Sequence, residues 1–182
     1  MKLISKNYRK LNAQLHSSPR GFGGSGYRWV EHIRIIMDMR KISSLLDYGC
    51  GQSTLWSAFK KKYPLYAKDI EYQEYDPCIP KKDVMPKGLF DLVACTDVLE
   101  HVEPAYLDNV IAHIFSLTGK VVFFNIALRT ADKMLPDGRN AHLIIRPSAW
   151  WEKQLRNHLG SDSTISYMRN KGVKDINLLV EI

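Results

Sequence analysis

Two stretches, "LFDLVAC" (residues 89–95) and "KVVFFNIAL" (residues 120–128), are almost wholly apolar. A strand that is apolar on both faces must be covered on both faces, and this is the mark of the central strands of a parallel sheet. Helices must then lie above and below. The rest of the chain supplies them in alternation. "SLLDYG" reads as a short buried strand, and "STLWSAFKKKYP" as a helix stopped at Pro64. "DIEYQEYDP" reads as a strand ending at Asp76. In "PAYLDNVIAHIFSL", Leu107, Val110, Ile111 and Ile114 share one helical face, with Pro104 at the helix start. In "YRWVEHIRIIMDMR", Trp29, Ile33, Ile36 and Met37 do the same. "SAWWEKQLRNHLG" reads as a helix capped by Ser148, with Trp151, Leu155 and Leu159 facing inward and Gly160 as the stop. "STISYMRNKG" and "VKDINLLVEI" finish as two strands joined by a hairpin-like turn at "NKG". Alternating β and α segments predict a doubly wound α/β sheet, whose ligands sit at the carboxyl ends of the strands.

Length and charge set the organisation. The 182 residues suit one domain, 27–182, preceded by an arm, 1–26. No apolar run approaches the roughly 20 residues of a membrane span, and the first residues have no apolar secretory core. Three cysteines, Cys50, Cys78 and Cys95, with no C-x-x-C pair, suggest neither a disulfide framework nor a zinc site. A reducing, cytoplasmic setting is expected. The net charge of +7 lies wholly in residues 1–44, which carry nine Lys/Arg and two acids. One reading is a solvated basic face. Another is an electropositive lid, because like-signed charge around a cleft concentrates the opposite charge. "GFGGSG" (residues 21–26) would be its hinge, and Arg20 and Arg28, flanking it, its contacts to an anionic acceptor.

The first strand ends in "DYGCGQST". Two glycines one residue apart allow a tight turn and close approach, and the following helix points its N-terminus at whatever lies there. A dinucleotide site wants a third glycine where Thr54 stands, so the signal for a pyrophosphate is weak. Asp47 argues further against an anionic ligand at that point and suits an ammonium group.

"LLDYGCGQSTL", "YDP" (residues 75–77) and "LFDLVACTDVLEHVEP" (residues 89–104) resemble, in order, three motifs of the class I S-adenosylmethionine-dependent methyltransferases. The likeness spans roughly residues 44–127 and points to small bacterial or phage members. It implies a Rossmann-like fold, S-adenosylmethionine as cofactor, S-adenosylhomocysteine as product, and no metal. Carried over by position, Asp47, Gly49, Cys50 and Gly51 fall near the methionine moiety. Asp76 falls at the ribose, Pro77, Asp83 and Val84 near the adenine, and Thr96, Asp97 and Val98 near the sulfonium and acceptor. Only 13 residues separate Asp76 from Phe90, too few for a helix, a strand and a second helix. The family's third strand is therefore expected to be missing, giving the order 2-1-4-5-7-6 with strand seven antiparallel.

The connection after "KVVFFNIAL" is long and polar, and long connections are often functional. It contributes Asn140 and His142 as candidate acceptor contacts; His142 is the candidate general base, and Asp97 is the second candidate catalytic residue. The expected reaction is methyl transfer to a small, anionic molecule. The competing readings are an RNA or DNA methyltransferase, favoured by the basic arm, and a non-catalytic S-adenosylmethionine-binding protein.

Overall fold

The computed structural model describes residues 1–18, 22–168 and 174–182. Arg20 and the "NKG" turn lie outside the described residues.

Six strands form one sheet: β1 (Ser44–Tyr48), β2 (Glu71–Tyr75), β3 (Phe90–Thr96), β4 (Thr118–Ala127), β5 (Thr164–Tyr167) and β6 (Asp175–Glu181). Their order is β2-β1-β3-β4-β6-β5. β1 is parallel to β2 and β3, and β3 to β4, while β6 runs antiparallel to both β4 and β5. This is the order expected for a sheet without the family's third strand. The register sets Tyr48 level with Tyr75, and Asp47 level with Ala94. The exits of β1, β2 and β3 therefore open at one end of the sheet.

Successive strand side chains point to opposite faces, and the apolar strands supply both. On one face Leu46, Val93, Cys95, Val122 and Phe124 meet the inner sides of α5 (Leu107–Ser116) and α6 (Ser148–Arg156), including Ile111, Ile114, Trp151 and Leu155. On the other, Leu45, Leu92, Ala94, Val121 and Phe123 meet α2 (Val30–Arg40) and α3 (Thr54–Lys62) through Ile33, Ile36, Leu55 and Phe59.

Several local expectations are corrected. Pro64 does not simply stop a helix. α3 ends at Lys62 and Pro64 opens the short α4 (Pro64–Ala67), where a residue without an N–H costs nothing. Ser148 is the first residue of α6 and not its cap; Pro147 holds that position and no side chain caps the helix. Trp151 and Leu155 are fully buried, whereas Leu159 packs only partly against the core. The 13-residue segment after Asp76 forms neither strand nor helix. It turns back on itself, with the Asp76 N–H donating to the Lys82 carbonyl at 2.9 Å. The Lys82 ammonium then donates to the Gly51 carbonyl at 2.9 Å.

Residues 6–16 of the arm form a helix. Ser5 caps α1 (Lys6–His16), its hydroxyl accepting from the Tyr8 N–H at 3.1 Å. Tyr8, Asn12 and Leu15 form the buried stripe at helical spacing. Tyr8 and Leu15 pack on Leu135 and Ala141 of the long loop after β4. Lys6, Arg9 and Lys10 are exposed. A 3₁₀ turn over Gly26–Trp29 leads into α2.

Candidate active site

The loop after β1 is held by its own backbone. The N–H groups of Gly49 and Cys50 both donate to the Tyr75 carbonyl, at 2.7 and 3.1 Å. Gly49 and Gly51 have φ of 77° and 50°, a region that L side chains avoid. A Cβ on Gly49 would stand 2.3 Å from Cγ2 of Val98, and one on Gly51 would stand 2.3 Å from the carbonyl of Gly23. Sequence reasoning assigned these glycines to close approach of a ligand. In the structure they also admit protein: the start of the turn after β3, and the segment between α1 and α2.

At the end of β2 the Asp76 carboxylate is buried. It accepts from the Cys78 N–H at 2.9 Å and from the Gly51 N–H at 3.2 Å. His16, from the last turn of α1, brings Nε2 to 3.8 Å from it. At the end of β3 Asp97 has φ of 54°. Its N–H donates to the Asn125 carbonyl at 3.0 Å, and its carboxylate accepts from the Ser25 hydroxyl at 2.5 Å. The next turn, Leu99–His101, buries Glu100 completely and turns His101 toward the loop after β4. There Asn140 acts as a clamp. Its side chain accepts from the N–H groups of Ala131 and His142, at 2.9 and 3.0 Å, and donates to the Ala131 carbonyl at 2.9 Å.

These exits enclose a cavity of about 570 Å³, within the range of ligand pockets. Of the candidate residues, Gly49, Gly51, Asp76, Pro77, Asp97, Val98, Arg28 and His142 line it. Asp47, Cys50, Asp83, Val84, Thr96 and Asn140 do not. Asp47 is turned away from the cavity and accepts from the Tyr72 hydroxyl at 3.3 Å, and desolvation pushes its carboxyl up to about 7. Burial likewise raises the Cys50 thiol. The folded-back loop carries Asp83 outward to pair with Arg9, and leaves Val84 exposed. Thr96 is buried at the strand end.

The segment expected to lie over the cleft contributes Tyr8, His16 and Phe22 to the cavity lining, together with Asn12 and Ser25, which sequence reasoning had not singled out. His101, from the stretch that the resemblance places at the wall of the cofactor site, and Arg129, from the long connection after β4, also line it. Of the cations in residues 1–44, only Arg28 lines the cavity among the described residues. Lys6, Arg9 and Lys10 of α1 are exposed.

These residues fit an S-adenosylmethionine-like ligand. Asp76 keeps lone pairs for a diol beyond its two backbone donors, and the Asp97 carboxylate offers a counter-charge to a sulfonium.

A methyltransferase-domain family model matches residues 13–173. No curated protein matches the chain in sequence. Solved structures agree in fold. An O-methyltransferase family protein from Burkholderia thailandensis is 13% identical, with a TM-score of 0.53 over 84% of this chain, and the chain spans 57% of that protein. Magnesium protoporphyrin IX methyltransferase from Synechocystis with bound S-adenosylhomocysteine is 14% identical, with a TM-score of 0.52 over 85% of this chain and 82% of the other. An S-adenosylmethionine-dependent methyltransferase from Archaeoglobus fulgidus is 14% identical, with a TM-score of 0.57 over 90% and 96%. With the family model spanning the glycine loop, Asp76, Asp97 and the loop after β4, the chain belongs to the methyltransferase-domain family of class I S-adenosylmethionine-dependent methyltransferases.

Proposed function

We propose that this enzyme transfers the methyl group to a small acceptor that carries an anionic group and is held between Arg28, Arg129 and His142. The observation that carries this reading is the grouping of these three side chains at the β3 exit. Arg28 feels the charges of Asp97 and Asp175, and Arg129 lies 3.8 Å from Asp175. The Arg129 carbonyl accepts from His142. All three line one cavity with Asp97. The size of that cavity suits a cofactor and a compact partner.

When bound, S-adenosylmethionine supplies a methyl carbon already activated by a positively charged sulfur. The chain's part is positional. Asp76 receives the ribose hydroxyls, the glycine loop borders the methionine end, and Asp97 stands near the sulfonium. Arg28 and Arg129 fix the acceptor's anionic group. His142, clamped by Asn140, promotes loss of a proton from the attacking atom. α1 walls the cavity from water. Three buried free thiols suit a reducing cytoplasm.

The test is a split between binding and turnover. Labelled methyl from S-adenosylmethionine is followed into the small-molecule and nucleic-acid fractions of an extract. Label in the small-molecule fraction is expected, with His142→Ala lowering the rate at least about a hundredfold, the low end of general acid–base effects. S-adenosylhomocysteine affinity should stay within a few-fold. Label in nucleic acid alone, or an acceptor that proves cationic, overturns the reading.

A further inference from the structure

We propose that Glu100, His101 and His142 bind one divalent transition-metal ion, and that the acceptor is held through this ion. The second half rests on the methyltransferase reading of the cavity; the first half does not.

One ligand atom from each of the three residues lies within 4.8 Å of the others. They arrive from two separate places, the turn after β3 and the loop after β4. Both imidazoles are already oriented. The His101 Nδ1–H donates to the Ala141 carbonyl at 2.8 Å, and the His142 Nδ1–H to the Arg129 carbonyl at 2.5 Å. A carbonyl only accepts, so each ring carries its proton on Nδ1 and keeps a lone pair on Nε2. Backbone carbonyls on the far nitrogen are the support that metal-bound histidines usually have. The two ring centroids are 4.6 Å apart, with the planes at 82°.

Glu100 supplies the independent observation. Its side chain is fully buried, and Oε1 accepts from the Ala127 N–H at 2.9 Å. Oε2 has no hydrogen-bond partner among the described residues. An orphaned buried acceptor is a cost to the fold, so a cation at this point would relieve a cost that the fold now carries.

Two imidazoles and one carboxylate suit Zn²⁺, Mn²⁺, Co²⁺ or Fe²⁺ better than Mg²⁺. Ligand atoms on a tetrahedral ion with bonds of ~2.1 Å lie roughly 3.4 Å apart, so the side chains would draw in by about 1 Å. His101 and His142 line the cavity and Glu100 lies behind them, so the open coordination positions face the acceptor. That position fits a hydroxyl acceptor. With the ion bound, His142 acts on the acceptor's proton through the ion and not as a free base: the oxygen binds the ion and its proton leaves to water. An oxygen lone pair then forms the bond to the methyl carbon as the carbon–sulfur bond breaks, and that electron pair stays on the sulfur of S-adenosylhomocysteine.

The experiment uses the full, untagged chain stripped by a chelator. Calorimetry with Zn²⁺ and Mn²⁺ should show one saturable site, and Co²⁺ should give a visible absorption band. Glu100→Gln and His142→Ala should each weaken uptake at least about tenfold, with S-adenosylhomocysteine affinity retained. If Glu100→Gln fails to fold, as judged by circular dichroism, His142→Ala decides. No saturable site in the wild type, or unchanged uptake in the folded variants, overturns the metal site. Metal uptake without S-adenosylhomocysteine binding overturns the cofactor reading and leaves the metal site standing. Methyl transfer into the small-molecule fraction that is unchanged by stripping overturns the ion's part in holding the acceptor.

Discussion

At the scale of single residues, the glycine loop and Asp76 divide the work at the cofactor end. Gly51 is required by the backbone and by its neighbour, since its φ is positive and its Cβ position is taken by the Gly23 carbonyl. Gly51→Val would push the segment before α2 off the loop and reshape the cavity wall. Asp76 is held by two N–H groups that position it without using all its lone pairs. Asp76→Ala should lose two hydrogen bonds to a neutral diol, on the order of 1–3 kcal/mol, or roughly tenfold to over a hundredfold in S-adenosylhomocysteine affinity. Calorimetry on both variants checks this. Unchanged affinity in Asp76→Ala would remove the ribose role.

At the scale of elements, α1 and the loop after β4 behave as one unit. Tyr8 and Leu15 from the helix meet Leu135 and Ala141 from the loop. The Tyr8 hydroxyl donates to the His101 carbonyl at 2.5 Å, and the Ser5 N–H donates to the Glu103 carboxylate at 2.8 Å. This small cluster stands apart from the two that cover the sheet, so weakening it should loosen the acceptor side and spare the core. Leu15→Ala removes part of a packed stripe, at a cost on the order of 2 kcal/mol. Amide hydrogen exchange should rise in residues 131–143 while β3 and β4 keep their protection. A uniform rise across the sheet would show that α1 is integral to the main fold and not a separable wall. We propose on these grounds that α1 acts as a lid whose movement carries the acceptor loop with it.

At the scale of the whole molecule, the buried acids tie stability to pH. Asp47 lies in the sheet with its carboxyl raised from 3.8 to about 7 by desolvation. Between those values the folded chain holds a proton that the unfolded chain has released. Its favourable share is therefore present at low pH and is lost as pH rises through about 7. The ligand-free protein should lose stability from this source between about pH 4 and 7, up to a few kcal/mol. Asp47→Asn should flatten that part of the profile and raise Tm at pH 7.5. A lower Tm for the variant at pH 7.5 would mean that the charge on Asp47 is used, as the ammonium assignment supposes.

What the chain alone determined was whatever depends on neighbours in sequence. Continuously apolar strands, amphipathic helices and the acid-x-G-x-G turn are local patterns, and short-range sterics and burial are enough to fix them. The short span from Asp76 to Phe90 likewise announced the missing strand, because chain length limits what a crossover can contain. Tertiary structure decided the rest. Whether Asp47 points at the ligand or behind it depends on the packing of β2, and the outward course of Asp83 follows from a loop that folds back onto Gly51. That Glu100, His101 and His142 meet depends on how the loop after β4 docks on the turn after β3. A histidine in a polar loop carries no mark of its eventual partners. Its chemistry arises only where burial removes water and distant backbone carbonyls fix the ring.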